Sequence, residues 1–400
     1  MQNLHTVQSE PDEANNALML SEHQEKLIQE KEEIIFSFRK EYLVDNNDQC
    51  LIGITSKIYQ DGSKYEGFIK DNKRNGKGIF YYSNGDVYAG CWQNDKFHGR
   101  GFYIFQNGER YEGDLLNGFK HGNGKYIYLN MNIFVGMWIK DKKHGKGIIN
   151  YQLTGESYDG EWKNNERSGN GTYRYSTGDT FSGEWVKGKK EGFGEMLYAN
   201  GSKYTGEWQR DKINGKGVMF YSSNEKYDGE WFNGNKHGQG VYSFSDGGRY
   251  VGTFSNGLPD GKGVRVFFNN DRYEGEYREG KQNGNGILYY ENGDTYNGNW
   301  VKDSQEGQGK MNYTNGDFYE GQWVNNKREG KGKYYYYTSQ ETYEGDWVDN
   351  IRQGYGIYTW SNGDKYKGEW RINQMNGNGE VVFSQEQKVE KGVFQNGLLV

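Results

Sequence analysis

Three histidines recur at a fixed spacing in the first half of the chain. His98, His121 and His144 are 23 residues apart, and His237 holds the same place further along. Imidazole is a common zinc ligand, and the ligands of one zinc ion lie about 2.0–2.1 Å from it. Residues at the same place in successive two-strand units would lie roughly 10 Å apart, because strands are spaced by about 4.8 Å. We therefore expect neither a metal site nor a cofactor here.

Paired glycines in the pattern GxG also recur, as at Gly169 and Gly171. A glycine-rich loop that binds phosphate follows a strand and opens a helix. Here the residues after each pair alternate between apolar and polar, which indicates a second strand instead. No Ser/His/Asp or Cys/His set departs from this pattern in a way that would build a pocket. The sequence thus favours a protein that is not an enzyme.

The glycines and histidines belong to a 23-residue repeat. Residues 158–180 read YDGEWKNNERSGNGTYRYSTGDT, and the same frame begins with an aromatic residue fourteen times. The frames begin at Tyr65, Tyr88, Tyr111, Phe134, Tyr158, Phe181, Tyr204, Tyr227, Tyr250, Tyr273, Tyr296, Tyr319, Tyr343 and Tyr366. A period of this size indicates stacked copies of one supersecondary unit. Positions in each frame are numbered from this first aromatic residue.

The residue types within a frame predict a hairpin of two short strands. Position 1 is aromatic and positions 3, 12 and 14 are glycine in every frame, while position 5 is mostly tryptophan. Residues two apart share a face of a strand, so rings and glycines lie on one face and the polar positions 2, 4 and 13 on the other. We expect the rings to cover hollows at all three glycines. Positions 6–11 and 19–23 are predicted to be turns.

These patterns predict an all-β fold, an elongated, single-layer, twisted antiparallel β-ribbon of tandem hairpins with an N-terminal amphipathic α-helix. Residues 1–10 are expected to be a flexible tail, and residues 11–44 the helix. A partial repeat at 45–64 leads into the fourteen tandem repeats of 65–388. A degenerate repeat at 389–400 is expected to cap the C-terminal end.

An apolar stripe at helical spacing runs along the predicted helix. It consists of Leu20, Leu27, Ile28, Ile34, Ile35, Phe38 and Tyr42. The stripe can dock on the repeats and cap them, or it can form a coiled coil of about three heptads with a partner. The second alternative also offers a route to a homodimer, and the sequence leaves the oligomeric state open.

Positive charge is concentrated in the predicted turn at positions 6–11, although the chain has a net charge of -6. The basic residues expected to stack along one edge are Lys73, Arg74, Lys120, Lys142, Lys143, Arg167, Lys189, Lys190, Lys212 and Lys236. This edge is either a solvated turn or a strip for anionic partners, such as phosphoinositide headgroups or acidic protein tails. Nucleic acid is not expected, because the neighbouring face is acidic.

Composition points to a soluble, cytoplasmic protein. The pI is near 5.7, and two cysteines, Cys50 and Cys91, cannot make a disulfide framework. No apolar run approaches the roughly 20 residues that span a bilayer. The N-terminus lacks the basic and apolar regions of a secretory signal.

The pattern YxGxWxxxxxxGxGxxxY, read from residues 158–175, resembles the MORN (membrane occupation and recognition nexus) repeat. The resemblance implies an elongated antiparallel β-ribbon. It also implies the settings of that family, which are junctional membrane proteins, modules appended to lipid kinases and methyltransferases, and ciliary and cytoskeletal scaffolds. The 64 residues that precede the repeats are too few for a kinase or methyltransferase domain.

The expected function is a non-catalytic scaffold or spacer that assembles other proteins in a ciliary, basal-body or cortical cytoskeletal structure. The alternative is a peripheral membrane tether that binds anionic phospholipids, in particular phosphoinositides, through the basic edge. The cytoskeletal assignment follows from the resemblance alone.

Overall fold

The computed structural model describes residues 13–44 and 53–400. These residues form one α-helix and 31 β-strands, and the strands belong to one open antiparallel sheet. The all-β antiparallel fold with an N-terminal helix, predicted from the repeat, is confirmed. The tail predicted at 1–10 and residues 45–52 of the partial repeat lie outside the described residues.

Helix α1 spans Glu13–Tyr42. The strands up to residue 209 are β1 (Ile54–Ile58), β2 (Lys64–Lys70), β3 (Lys73–Tyr81), β4 (Val87–Gln93), β5 (Lys96–Ile104), β6 (Arg110–Leu116), β7 (Phe119–Ile127), β8 (Ile133–Ile139), β9 (Lys142–Tyr151), β10 (Glu156–Lys163), β11 (Glu166–Arg174), β12 (Thr180–Val186), β13 (Lys189–Leu197) and β14 (Lys203–Gln209). The strands that follow are β15 (Lys212–Phe220), β16 (Lys226–Phe232), β17 (Asn235–Ser243), β18 (Arg249–Ser255), β19 (Leu258–Val266), β20 (Arg272–Arg278), β21 (Lys281–Tyr289), β22 (Thr295–Val301), β23 (Ser304–Asn312), β24 (Phe318–Val324), β25 (Lys327–Tyr336), β26 (Glu341–Val348), β27 (Ile351–Thr359), β28 (Lys365–Arg371), β29 (Gln374–Phe383), β30 (Lys388–Gln395) and β31 (Leu398–Leu399).

The chain divides into two compact units, Met1–Lys212 and Ile213–Val400. Within each unit, every strand pairs antiparallel with the strands before and after it in the sequence, as β10 does with β9 and β11. Each frame contributes one shorter and one longer strand, so the contacts are local in sequence. This is the arrangement expected of a linear repeat.

The first connection in each repeat is a two-residue turn. β10 ends at Lys163 and β11 begins at Glu166, and the two residues between them, Asn164 and Asn165, have φ of 53° and 73°. Positive φ at both residues is the geometry of a type I′ turn, which Asn, Asp and Gly adopt most readily. The turn predicted at positions 6–11 is present, but its bounds are wrong, since it occupies positions 7 and 8 and positions 6 and 9–11 belong to the strands. Positions 9–11 carry polar side chains in this repeat, so the sequence pattern did not identify them as part of a strand.

The second connection fastens each repeat to the next. In one repeat, the Tyr175 amide donates to the Asp179 carbonyl at 2.9 Å and the Gly178 amide donates to the Tyr175 carbonyl at 3.0 Å. The Asp179 carboxylate accepts a hydrogen bond from the amide of Ala199, 20 residues on, at 2.8 Å. The recurring acid of this turn therefore orders the equivalent turn of the following repeat.

The ring at position 1 fills a hollow formed by two glycines. Tyr158 is fully buried, and it lies over Gly160 and Gly171, which face each other across β10 and β11. A Cβ at Gly171 would lie 2.5 Å from Cε2 of the Tyr158 ring, closer than van der Waals contact allows. The phenol donates a hydrogen bond to the Glu161 carbonyl at 3.0 Å. Positions 3 and 14 thus form the predicted hollow.

The glycine at position 12 has a different role, and its prediction as a hollow under a ring is wrong. The register of β10 against β11 shifts after Gly160, so that Trp162 pairs with Arg167 across a β-bulge. At this bulge Gly169 has φ of +60°, and a Cβ there would meet the Glu161 carboxylate rather than a ring. The backbone conformation of the bulge requires this glycine.

Edge-to-face rings join consecutive repeats. Tyr158 lies 5.3 Å from the ring of Trp162 in its own repeat and 5.4 Å from Trp185 in the next, at interplanar angles of 85° and 80°. The Trp162 indole donates to the carbonyl of Gly147 in the preceding repeat at 2.9 Å. Such aromatic pairs contribute about 0.5–1.5 kcal/mol beyond the area they bury. Each position 1 ring thus ties its repeat to its neighbour.

Candidate interaction surfaces

Four of the ten predicted basic residues lie at position 9 and face solvent. They are Lys73, Lys142, Lys189 and Lys212, each the first residue of a strand that follows a two-residue turn. The turn projects from the edge of the sheet, so their ammonium groups are free to meet a partner. These four residues form the exposed basic row.

The other six lie at position 10 and point back over the rings. They are Arg74, Lys120, Lys143, Arg167, Lys190 and Lys236. The Arg167 guanidinium carbon is 4.4 Å from the centroid of the Trp185 ring and 4.9 Å from that of Tyr173. The β-bulge places position 10 on the ring face. The ten residues therefore do not form one basic edge, because six of them are packed in cation–π contacts.

Lys190 shows how closely a position 10 cation is held. Its side chain is only 9% exposed, and its ammonium lies 4.6 Å from the centroid of the Trp208 ring. It donates to the Tyr175 hydroxyl at 3.2 Å. Burial lowers the pKa of Lys190, as it does the pKa of Lys120, Lys143 and Lys236. These cations belong to the packing of the sheet.

Helix α1 lies on the polar face of the first repeats, opposite the buried rings. Phe38 is 6% exposed and packs in a cluster with the fully buried Ile79 and Ala89. Leu27 is 1% exposed and lies against Gly108, where a Cβ would approach the Leu27 Cβ to 2.6 Å. The remaining stripe residues Leu20, Ile34, Ile35 and Tyr42 are half-buried, and Ile28 is exposed. The stripe therefore contacts the chain's own repeats.

Polar contacts fasten the helix along the same face. The Lys31 ammonium donates to the Gly85 carbonyl at 2.5 Å, and Arg39 lies 3.4 Å from the Glu66 carboxylate. Glu30 forms an ion pair with Arg110 in the next repeat. Together with Leu27, these contacts order α1 across more than one repeat.

A family model for the MORN repeat matches the chain fourteen times between residues 65 and 385. The chain belongs to the MORN repeat family. The matched segments are 65–87, 88–110, 111–130, 134–151, 158–180, 181–203, 204–226, 227–249, 250–272, 273–295, 296–318, 319–340, 343–365 and 366–385. A search of curated proteins gave no match.

Two solved structures resemble parts of this MORN repeat chain. One is the SAS-4 (dCPAP) TCP domain of Drosophila melanogaster in complex with a proline-rich motif of Ana2 (dSTIL), at 13% identity, 44% coverage of this chain, 90% of that chain and a TM-score of 0.25. The other is the TCP10 domain of Danio rerio CPAP in complex with a peptide of Danio rerio STIL, at 10% identity, 67% and 92% coverage and a TM-score of 0.24. Likeness at these scores does not bear on function.

The docking surface for the helix was missed by the sequence analysis. The face predicted to be polar carries Ile79, Val87 and Ala89 in the first two MORN repeats, and all three are buried. A signal was present, since position 2 is Ala89 where most other repeats carry a polar or charged residue. The signal was not specific, because Val135 and Val251 are apolar at the same position and are exposed.

The described residues contain neither a membrane-spanning helix nor a cluster of metal-ligating side chains. They include no helix with the length and apolar character needed to cross a bilayer. Nor do they bring together three or more His, Cys, Asp or Glu side chains that could hold a metal ion. Of the position 11 histidines, His98, His121 and His144 are half-buried and His237 is exposed, and all four lie in the strands that follow the turns.

Replacing Lys190 with alanine is expected to lower the free energy of unfolding by about 1–2 kcal/mol, because the substitution removes a buried side chain that packs on the Trp208 ring and donates to the Tyr175 hydroxyl. Replacing its neighbour Lys189, which is exposed, should change that energy by less than about 0.5 kcal/mol. Both variants lose one positive charge, so Lys189→Ala is the matched control. Urea unfolding monitored by tryptophan fluorescence checks the difference. Equal effects of the two substitutions would show that position 10 is not part of the packing.

Proposed function

We propose that this MORN repeat protein is a non-catalytic scaffold that holds other proteins at regular spacing in a ciliary, basal-body or cortical cytoskeletal structure. MORN repeats are a non-catalytic repeat family, which supports the first part of the proposal. The cytoskeletal setting rests on the resemblance to scaffold members of that family.

One observation carries the proposal. An aromatic ring recurs at position 1 of every copy, and this ring, Tyr158 in one repeat, is fully buried in the sheet. The recurring glycines beneath it, Gly160 and Gly171, carry no side chain that a partner could recognise. The side chains that differ between copies are the ones at the surface. Position 9 is lysine in several repeats, phenylalanine at Phe119 and leucine at Leu258, and these two are 46% and 49% exposed. A regular backbone that presents varied side chains suits several protein partners better than one substrate.

The scaffold proposal predicts that the chain stays in place when membranes are dissolved. A tagged full-length chain, expressed in its own cell type, is extracted with non-ionic detergent and located by microscopy before and after extraction. We expect retention in the insoluble cytoskeletal fraction, since protein contacts survive removal of lipid. A diffuse signal that washes out with the detergent would count against the proposal.

The exposed basic row favours a second candidate, a tether for anionic phospholipids. Each lysine near an anionic membrane surface contributes about 1 kcal/mol to binding. The test is sedimentation of the chain with vesicles that contain a phosphoinositide, against neutral phosphatidylcholine vesicles. Reversal of Lys73, Lys142, Lys189 and Lys212 to glutamate should abolish binding if this row is the site. The control is the same reversal at four exposed lysines that do not lie at position 9, namely Lys146, Lys262, Lys333 and Lys365. Absence of binding by the native chain would exclude the tether.

A further inference from the structure

Position 10 packs a cation over the rings in eight of the fourteen MORN repeats, as at Arg328 and Arg352. Three scattered repeats carry Phe97, Ile213 or Met375 there instead, and the remaining three are consecutive. The repeats that begin at Tyr250, Tyr273 and Tyr296 carry Pro259, Gln282 and Gln305 at position 10. The first of them holds an arginine, Arg265, at position 16. In the other thirteen repeats that position is apolar or tyrosine. Arg265 is thus the one cation at position 16 among the fourteen repeats.

Arg265 lies between two rings but lacks a polar partner. Its guanidinium carbon is 4.4 Å from the centroid of Phe244 and 4.6 Å from that of Phe267. Its Nε is buried and has no hydrogen-bond partner among the described residues. A buried charged donor without a partner is costly and uncommon in folded proteins. Departures of this kind from an otherwise consistent pattern are typical of functional sites.

Arg265 lines a groove of about 660 Å³ in the unit Ile213–Val400. The apolar part of the groove includes Leu288, Trp300 and Met311. Tyr277 also lines it, at position 5, where most repeats have the larger tryptophan. Because position 10 is proline or glutamine here, no long cationic side chain fills the space. The groove thus combines apolar surface with a guanidinium whose N–H groups have no hydrogen-bond acceptor among the described residues.

Other charged groups in the groove are already engaged. The Asp271 carboxylate accepts a hydrogen bond from the Glu291 amide at 2.8 Å, and the Asp303 carboxylate accepts one from the Gln282 amide at 2.8 Å. Arg328 donates to the Asn350 carbonyl at 3.1 Å. The carboxylates of Asp271 and Asp303 repel a doubly charged phosphate more strongly than a singly charged carboxylate. A single carboxylate also matches the one unpaired guanidinium in charge and geometry.

We propose that this groove binds a carboxylate side chain of a partner protein, with Arg265 as the residue that pairs with it. The apolar residues next to that carboxylate would pack on Trp300 and Met311. The inference rests on the proposed scaffold function and adds the chemistry of one partner segment. The guanidinium carbon packs against Phe244 and Phe267 and Nε is buried, so the two terminal Nη groups are left for parallel hydrogen bonds to a carboxylate.

A peptide selection tests this inference with the full-length chain. A phage library of random twelve-residue peptides is selected on the native protein, and the binders are measured on Arg265→Met and Arg249→Gln. Methionine occupies position 16 at Met196, Met219 and Met311, so the sheet accepts it. Arg249 is exposed on the neighbouring strand β18 and serves as the control for lost charge. We expect binders with Asp or Glu beside apolar residues, weakened at least about tenfold by Arg265→Met and unaffected by Arg249→Gln.

Several results would overturn the assignment. These are selection of no peptides, peptides without acidic residues, or equal binding to the Arg265→Met variant. Arg265-dependent binding of inositol hexakisphosphate, added as a second probe, would show a phosphate site instead. Loss of the folded β-sheet signal in Arg265→Met would identify Arg265 as a structural residue, whereas the carboxylate site predicts a folded variant that no longer binds the peptides. Detergent-resistant retention of Arg265→Met in cells would leave the scaffold proposal standing if the peptide site fails.

Discussion

Replacing Gly171 with alanine is expected to destabilise the sheet by about 1–3 kcal/mol, the range for inserting a methyl group into a packed core. The new Cβ would lie 2.5 Å from the Tyr158 ring, which is fully buried and has no room to move. Displacing that ring also disturbs its edge-to-face contacts with Trp162 and Trp185, one of which joins two repeats. The effect should therefore extend beyond the substituted hairpin. Hydrogen exchange should speed up in β10, β11 and β12 before it does elsewhere.

Gly188→Asn is the matched control for this substitution. Gly188 lies in a two-residue turn with φ of +79°, and nothing lies within 4 Å of a Cβ placed there. Other repeats hold asparagine at the same place with positive φ, as Asn165 does. We expect the control to change the free energy of unfolding by less than about 0.5 kcal/mol. Wild-type stability for Gly171→Ala would refute the hollow as the basis of packing.

The sheet is expected to unfold in alkali, and this is the second large effect. Burial raises the pKa of six phenols from the ordinary 10.0 to about 12, namely Tyr81, Tyr82, Tyr128, Tyr175, Tyr250 and Tyr366. Below pH 10 these phenols are neutral in both states, so their contribution to stability is complete. As the pH rises above 10, the unfolded chain ionises first and the free energy of unfolding falls. Each tenfold difference between the phenol ionisation constants of the folded and unfolded chains corresponds to about 1.4 kcal/mol per group, an upper value for rings that keep some water contact.

The buried lysines change the free energy of unfolding in the opposite direction, over a narrower pH range. Burial lowers the pKa of Lys120, Lys143, Lys190 and Lys236, so their penalty on the folded state declines as the pH rises toward the ordinary 10.5. Above that value their contribution no longer changes, and the phenols alone determine the trend. The decline in stability should therefore be steep from about pH 10.5 upward.

A spectrophotometric titration with parallel circular dichroism checks this expectation. We expect the phenolate absorbance near 295 nm to rise cooperatively, together with loss of the β-sheet signal, between about pH 10 and 12. Complete titration of the phenols near pH 10 while the sheet signal stays intact would contradict the burial described for the rings. Salt should have little effect, since the raised pKa values arise mainly from desolvation.

The repeat period and the residue types within it were enough to predict the hairpins. Alternation of rings and glycines placed Tyr158, Gly160 and Gly171 on one face, and the structure has them there. A period-two pattern indicates which face of a strand each side chain occupies, and the tandem copies show the same pattern many times. The MORN resemblance added the family and its fold.

The β-bulge accounts for most of what the sequence did not predict. A bulge shifts the alternation by one residue, so counting by twos from Gly171 back to Gly169 gave the wrong face. The same shift sends Arg167 over the rings, although it lies in a polar stretch that read as a turn. The bulge is a backbone feature, seen in the register shift after Gly160 and in the positive φ of Gly169.

Contacts between residues far apart in the sequence were the other feature that the sequence did not predict. The docking of Phe38 on Ile79 joins residues 41 apart in sequence, and periodicity within the helix cannot specify it. Arg265 was visible as the exception at position 16, but its meaning depended on the groove and on the position 10 residues beside it. Both features needed the three-dimensional arrangement.

Proximity labelling in the native cell tests the central proposal most directly. A labelling enzyme is fused to the full-length chain, cells are extracted with detergent after labelling, and the labelled proteins are identified by mass spectrometry against the free enzyme. We predict a reproducible set of proteins from one cytoskeletal assembly, recovered in the insoluble fraction. A labelled set no different from that of the free enzyme would contradict the scaffold function.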